Sequence, residues 1–367
     1  MTTRTGKAAG RIAGKYELVE KAGDGGMATV WRGLMHGAAG FRRPVAIKRI
    51  RQELMANPEF VAMFVEEARL GSQLLHSNIV QVYDFERDEK GAYFLVLEWV
   101  EGLDLRRYWG SYAENGQRTP WPLIVAIGIE TLRGLSAAHE RVDDAGRRAP
   151  VIHRDVTPQN VLIGTNGLVK LSDFGLARAM DRAPMTRPEI VKGKLAYLAP
   201  EIASGAPAST RSDIYGLGVV LWEALAGRQL YEGDTNMDVL LKVRAAEAPP
   251  LTLLRDDLPI DLVAAIGRAL ATAPEERFPT ARDFLRTLAQ ILRGVHQSTD
   301  SYALGHSVIE ARIILGMPPQ SIFVAPSRKP PPLPPDAGHG PRKRPRTQKL
   351  SEEDLLPVTG DDESPER

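Results

Sequence analysis

Val151-Ile152-His153-Arg154-Asp155-Val156-Thr157-Pro158-Gln159-Asn160, followed downstream by Asp173-Phe174-Gly175, decides how this chain is read. These stretches place a candidate base and two candidate oxygen ligands close together in sequence. Phosphoryl transfer asks for that set, because the protein mainly positions a hydroxyl nucleophile and neutralises phosphate charge. Asp155 would be the base. Asn160 and Asp173 would hold a hard divalent cation, Mg²⁺ with Mn²⁺ as a substitute.

Working outward, other fragments appear in a fixed order. Upstream lie Ala22-Gly23-Asp24-Gly25-Gly26-Met27-Ala28-Thr29-Val30 and Val45-Ala46-Ile47-Lys48; downstream lie Ala199-Pro200-Glu201 and Asp213-Ile214-Tyr215-Gly216-Leu217-Gly218. Alone, each has a bland explanation. A glycine-rich turn between two apolar runs is an ordinary hairpin, Val-Ala-Ile-Lys an edge of core, and His-Arg-Asp a solvated turn. Their joint order would require several coincidences to multiply.

In that order the chain resembles the bacterial eukaryotic-like Ser/Thr protein kinases. The resemblance implies an α+β, two-lobed kinase fold, with a mostly β small lobe carrying one helix and a mostly α large lobe. The expected partition is a flexible 1–11, a kinase domain over 12–293 and a helical extension over 294–325, in which a helix over Ser301 to Leu315 would set Leu304, Val308, Ile309 and Ile313 on one apolar face. A Pro-rich, charged tail over 326–367 is expected to be disordered. Within the domain, the small lobe covers 12–98, the hinge 98–102 and the large lobe 103–293.

The resemblance also implies ATP as phosphoryl donor and proteins as acceptors. Lys48 would fix the α- and β-phosphates and pair with Glu67 on a helix expected over Pro58 to Leu75, where Phe60, Phe64, Ala68, Leu70 and Leu74 recur at helical spacing. The loop from Ala22 to Val30 would let backbone N–H groups approach the phosphates, with Ala28 replacing the third glycine. Val30 and Ala46 would roof the adenine. In the apolar run Tyr93 to Val100, Leu97 would be the gatekeeper, and the backbone of Glu98 and Val100 would read the adenine edge. Asp104 has two readings, a ribose contact and an N-cap for the helix starting at Leu105. Asp213 would anchor the backbone near His153 and Arg154, and Arg277 would pair with Glu201.

Two departures from the family pattern stand out. The catalytic loop has Thr157 where a lysine is usual, and the segment before Ala199 reads Gly193-Lys194 where Gly-Thr is usual. Together they read as an exchange in which Lys194 supplies the missing cation. The competing reading is a pseudokinase scaffold that binds nucleotide with little or no transfer. A small-molecule phosphotransferase fits less well, because Ala199-Pro200-Glu201, Asp213 and Arg277 belong to protein-substrate machinery. Tyrosine kinases also lack that lysine, yet the Gly25-Gly26-Met27 loop resembles the bacterial Ser/Thr group. Thr186, the only Ser or Thr between Phe174 and Leu198, is the expected autophosphorylation site, with Arg154 as receiver of its phosphate.

Composition agrees with such an enzyme. The 367 residues suffice for two lobes and a tail, and no cysteine is available for disulfides or thiolate metal sites. The 47 basic and 46 acidic residues give no overall pull toward nucleic acid, so no nucleic-acid partner is expected. No uninterrupted apolar run approaches the roughly 20 residues of a membrane span. Met1 to Lys15 lacks a signal-peptide apolar region, so a cytoplasmic chain is expected. In the tail, Pro330 to Pro335 favours polyproline II, as a stiff spacer or as a ligand for an aromatic groove. Arg342 to Arg346 is basic, and Thr347 and Ser351 beside it are candidate phosphosites. The sequence does not speak to oligomeric state.

Overall fold

The structure is a computed structural model that describes residues 11–174 and 194–317. Gly175, Thr186, Lys192, Gly193 and the tail motifs lie outside the described residues.

The small lobe is one antiparallel sheet built from β1 (Arg11–Ile12), β2 (Tyr16–Asp24), β3 (Ala28–His36), β4 (Arg42–Ile50), β5 (Val82–Arg87) and β6 (Tyr93–Glu98), in the order β1-β2-β3-β4-β6-β5. Period-two alternation separates its faces. Val45, Ile47, Phe94 and Val96 pack with Tyr16 on one side; Ala28, Ile50 and Leu95 pack on the other, against Phe64 and Ala68 of helix α1 (Pro58–Ser72). Asn57 starts α1 by accepting from the Glu59 N–H at 2.9 Å, with Pro58 in the first turn. The helix stops at Ser72, short of the expected Leu75. Beyond it the chain turns away to join the large lobe, where Val80 N–H donates to Leu171 O and Leu171 N–H to Asn78 O.

In the large lobe, β7 (Gly102–Asp104) leads into α2 (Leu105–Glu114) and α3 (Trp121–His139), followed by β8 (Val161–Gly164) and β9 (Val169–Leu171). Then come α4 (Pro200–Ala203), α5 (Thr210–Ala226), α6 (Asn236–Ala245), α7 (Ile260–Ala269), α8 (Ala281–Leu292) and α9 (Ser301–Ile314). The pattern of a mostly helical lobe misses the small sheet β7-β8-β9, whose strands of three, four and three residues are too short to show a period. Helix α3 has the length and mean hydropathy of a membrane span, but 78% of that stretch is buried within the protein, as a central core helix would be. Arg141 to Pro150 forms a surface turn closed by a Val142–Arg148 bridge, with Gly146 left-handed at φ +73°.

Arg277, fully buried, pairs both terminal nitrogens with Glu201 at 2.8 and 2.7 Å. At α9 the expected apolar face needs correction: Leu304 and Val308 are buried, with Ala311, but Ile309 and Ile313 are 43% and 70% exposed. One residue turns an α-helix by about 100°, so Ile309 cannot share the face of Val308.

Candidate active site

Catalytic-loop geometry begins with a buried carboxylate. Asp213, in the first turn of α5, accepts from the backbone N–H groups of His153 and Arg154, both at 2.8 Å, and contacts His139 Nε2 at 2.7 Å. Arg154 is left-handed at φ +68°, a conformation that persists for a non-glycine residue only where its surroundings hold it. Burial lowers the pKa of His153, against the pull of Asp213 and Asp155, which keeps its ring neutral. Its Nε2 then donates to the Ser172 carbonyl at 2.8 Å, Nδ1 accepts from the Asp155 N–H at 3.2 Å, and the ring packs edge-on to Phe174.

This scaffold aims Asp155 into the cleft. Its Oδ2 accepts from Asn160 Nδ2 at 3.1 Å and forms an ion pair with Lys194 Nζ. Thr157, two residues on, is buried. Lys194 also acts on Asp173: burial works against ionisation there, but Lys48 first, then Lys194, hold its carboxyl below the ordinary range. Asp173 is left-handed as well, at φ +63°.

The small lobe supplies the opposing wall. Val30 lies opposite Lys48 and Leu97 opposite Ala46, so register puts Val30, Ala46, Lys48, Leu95 and Leu97 on one face of the sheet. Lys48 Nζ reaches Glu67 Oε1 at 2.5 Å and Asp173 Oδ1 at 2.6 Å. Burial works against the Lys48 ammonium, but Asp173 and Glu67 hold its pKa above the ordinary lysine value. Burial pushes the Glu67 carboxyl up to about 7, opposed by Lys48 and reinforced by Asp173.

The glycine-rich stretch is a hairpin tip. Ala22, Gly23 and Asp24 end β2; Ala28, Thr29 and Val30 begin β3; Gly25, Gly26 and Met27 lie between them, and Gly25 N–H donates to Ala28 O at 2.9 Å. Ala28 tucks its methyl into the core with Ile50 and Phe64, which explains why alanine is accommodated. Asp104 caps α2, accepting from Arg107 N–H at 2.9 Å, and is half-buried. Glu98, at the end of β6, pairs with Lys170 at 2.9 Å, and Val100 follows in the connection to β7.

The donor set suits a hard divalent cation. Asn160 Nδ2 also donates to the Asp155 carbonyl at 2.7 Å, which leaves Asn160 Oδ1 as its acceptor, and Asp173 is held ionised. Among the described residues no cluster of three or more His, Cys, Asp or Glu could hold a metal. Two protein oxygens with phosphates completing the shell is the arrangement magnesium favours.

Sequence reading missed three residues. Arg51 clasps the hairpin tip through Gly25 O at 2.9 Å and Asp24 at 2.6 Å, and nothing in the sequence marks it. Lys170 and His139 left a faint signal, a charged or polar group amid buried apolar neighbours.

The protein kinase domain family matches residues 16–290. Tyrosine-protein kinase MasK of Myxococcus xanthus is 40% identical over 76% of this chain and 43% of its own length. Serine/threonine-protein kinase PrkC of Bacillus subtilis is 35% identical over 74% of this chain and 40% of its own. The chain thus spans less than half the length of either relative. The crystallised kinase domain of PknI from Mycobacterium tuberculosis superposes with a TM-score of 0.58 at 26% identity, covering 78% of this chain and 99% of that one.

Proposed function

We propose that this chain, which belongs to the protein kinase family, transfers the γ-phosphoryl group of ATP to serine or threonine hydroxyls of proteins. One observation carries the reading: Lys48 contacts both Glu67 and Asp173, Asn160 contacts Asp155, and the two groups are tied where Ser172 N–H, next to Asp173, donates to the Asn160 carbonyl at 2.9 Å. Asp155 orients the acceptor hydroxyl and takes its proton as the oxygen bonds to the γ-phosphorus and the bond to the β,γ-bridging oxygen breaks, releasing ADP. Lys48, fixed by Glu67, holds the α- and β-phosphates. Asn160 and Asp173 would hold Mg²⁺, which when bound neutralises charge on the β- and γ-phosphates. Val30 and Ala46 cover the adenine, and the backbone at Glu98 and Val100 reads its edge. The catalytic domain is assigned to 12–293.

Lys194 takes the part of the absent catalytic-loop lysine. Its ion pair with Asp155 and its electrostatic reach to Asp173 put a cation beside the base, where phosphate charge develops. This favours a catalyst over a scaffold. Thr186 is the proposed autophosphorylation site, checked by mass spectrometry of ATP-treated protein; an unmodified Thr186 in fully active enzyme would refute it.

The deciding experiment incubates wild type and Asp155→Asn with labelled ATP and Mg²⁺. Label in wild type alone supports the reading; no label, or equal label in both, ends it. A second acceptor class has a specific motive, because the relative at 40% identity is named a tyrosine kinase. Phosphoamino-acid analysis separates the two: phosphotyrosine alone would replace the serine/threonine assignment.

A further inference from the structure

Helix α9 lies beyond residue 290, where the family match ends, yet it is built into the connection between the lobes. Arg312, buried on its inner face, donates through Nη1 to the Gly102 carbonyl at 3.0 Å, and its Nη2 pairs with Glu101 Oε1 at 3.0 Å. The other carboxylate oxygen of Glu101 accepts from Trp99 Nε1 at 2.9 Å and lies 3.7 Å from Arg32 of β3. A chain of charge therefore runs from the small lobe, through the hinge, to the C-terminal helix.

A second, independent contact backs the same point. The β8–β9 turn grips the hinge through Thr165, whose N–H and hydroxyl both donate to the Glu101 carbonyl, at 2.8 and 3.1 Å. Helix α9 rests on that turn so closely that glycine is needed on both sides. A Cβ at Gly305 would lie 2.5 Å from Thr165 O, and one at Gly167 would lie 1.8 Å from Ser301 O. Tyr108 of α2 also donates to Ser307 Oγ at 3.0 Å. Such contact is far tighter than a helix draped on a surface requires.

We propose that α9 is a hinge brace, with Arg312 a positioning residue that sets the Glu98–Gly102 backbone for nucleotide binding. The inference rests on the nucleotide-binding reading above. Hinge carbonyls and N–H groups bind a planar base only at fixed positions, so a hinge released from its brace loses ground-state affinity rather than chemistry. In kinetic terms KM for ATP rises while kcat holds.

The test measures binding of Mg·ADP by calorimetry and KM against kcat for ATP, on the full chain. Arg312→Gln should weaken Mg·ADP binding and raise KM by about five- to tenfold, the loss of one charge-assisted contact, with kcat changed less than about twofold. Arg312→Lys should recover part of the loss, and Ile313→Ala, on the exposed side of the same helix, should match wild type. A merely structural role would lower the melting temperature and leave the binding constant of the folded fraction unchanged; that result overturns the brace. Should Arg312→Gln fail to fold, Gly305→Ala displaces α9 from the turn and is read the same way. Wild type that binds no Mg·ADP would end both the nucleotide reading and the brace, whereas wild type that binds but does not transfer phosphate removes only the transferase.

Discussion

The loop that carries Asp155 and the glycine-rich hairpin, both assigned to phosphate chemistry in the proposed function, are held in opposite ways. Around His153, Arg154 and Asp155 almost every polar group is buried and matched: two backbone N–H groups on Asp213, an imidazole on Ser172, an amide on Asp155. The hairpin tip is exposed and clasped by surface charges, Arg51 and Lys21 on Asp24. Buried networks have few alternative arrangements, whereas exposed ion pairs are weak and easily exchanged. A proton acceptor needs a fixed direction; a flap over a ligand that enters and leaves needs latitude.

The contrast can be broken most strongly at Asp213. Asp213→Ala strands the N–H groups of His153 and Arg154 without an acceptor and releases the strained Arg154, so phosphoryl transfer should fall by about 10³ and stability by about 3 kcal/mol. Retained activity with a normal urea midpoint would show that the loop is not held as described. Next is Lys194→Ala, which removes a preorganised cation and should slow transfer by about 10² at unchanged melting temperature, while Lys192→Ala does little. Equal rates for the two variants would discard the exchange with Thr157. The double change Thr157→Lys with Lys194→Thr should recover more activity than either single one.

At the hairpin the expected effects are small. Arg51→Ala should raise KM for ATP by no more than about threefold and leave thermal unfolding unchanged, since its partners are solvent-exposed. A loss approaching that of Asp213→Ala would erase the contrast. The smallest effect is a pH dependence at the buried pair. Because Glu67 has its carboxyl pKa raised from 4.5 to about 7 in the folded protein, its contribution to stability is present below the lower value and is lost as pH rises through the upper one. Nucleotide-free wild type should therefore lose melting temperature relative to Glu67→Gln between about pH 5 and about pH 8. A constant difference would place the Glu67 carboxyl at its ordinary value.

Much of the site was legible along the chain, because backbone chemistry restricts which residues can serve. A glycine turn, a lysine in an apolar strand and an aspartate ahead of an asparagine occur in an order that resembles the protein kinases, and that resemblance proposed Lys48, Asp155, Asn160 and Asp173. Periodicity likewise located α1 to within a few residues. Other features required the fold. Short strands carry no period, so β7, β8 and β9 went unseen. The inner face of α9 was misassigned, because apolar spacing does not say which side meets a neighbour; a buried arginine and a glycine define it instead. Lys194 could be suspected from a missing lysine elsewhere, but only the packing of residues 39 positions apart brings its ammonium to Asp155. Sequence constrains what a residue can do, and tertiary structure decides which distant partner it does it with, since burial and charge pairing depend on distance in space.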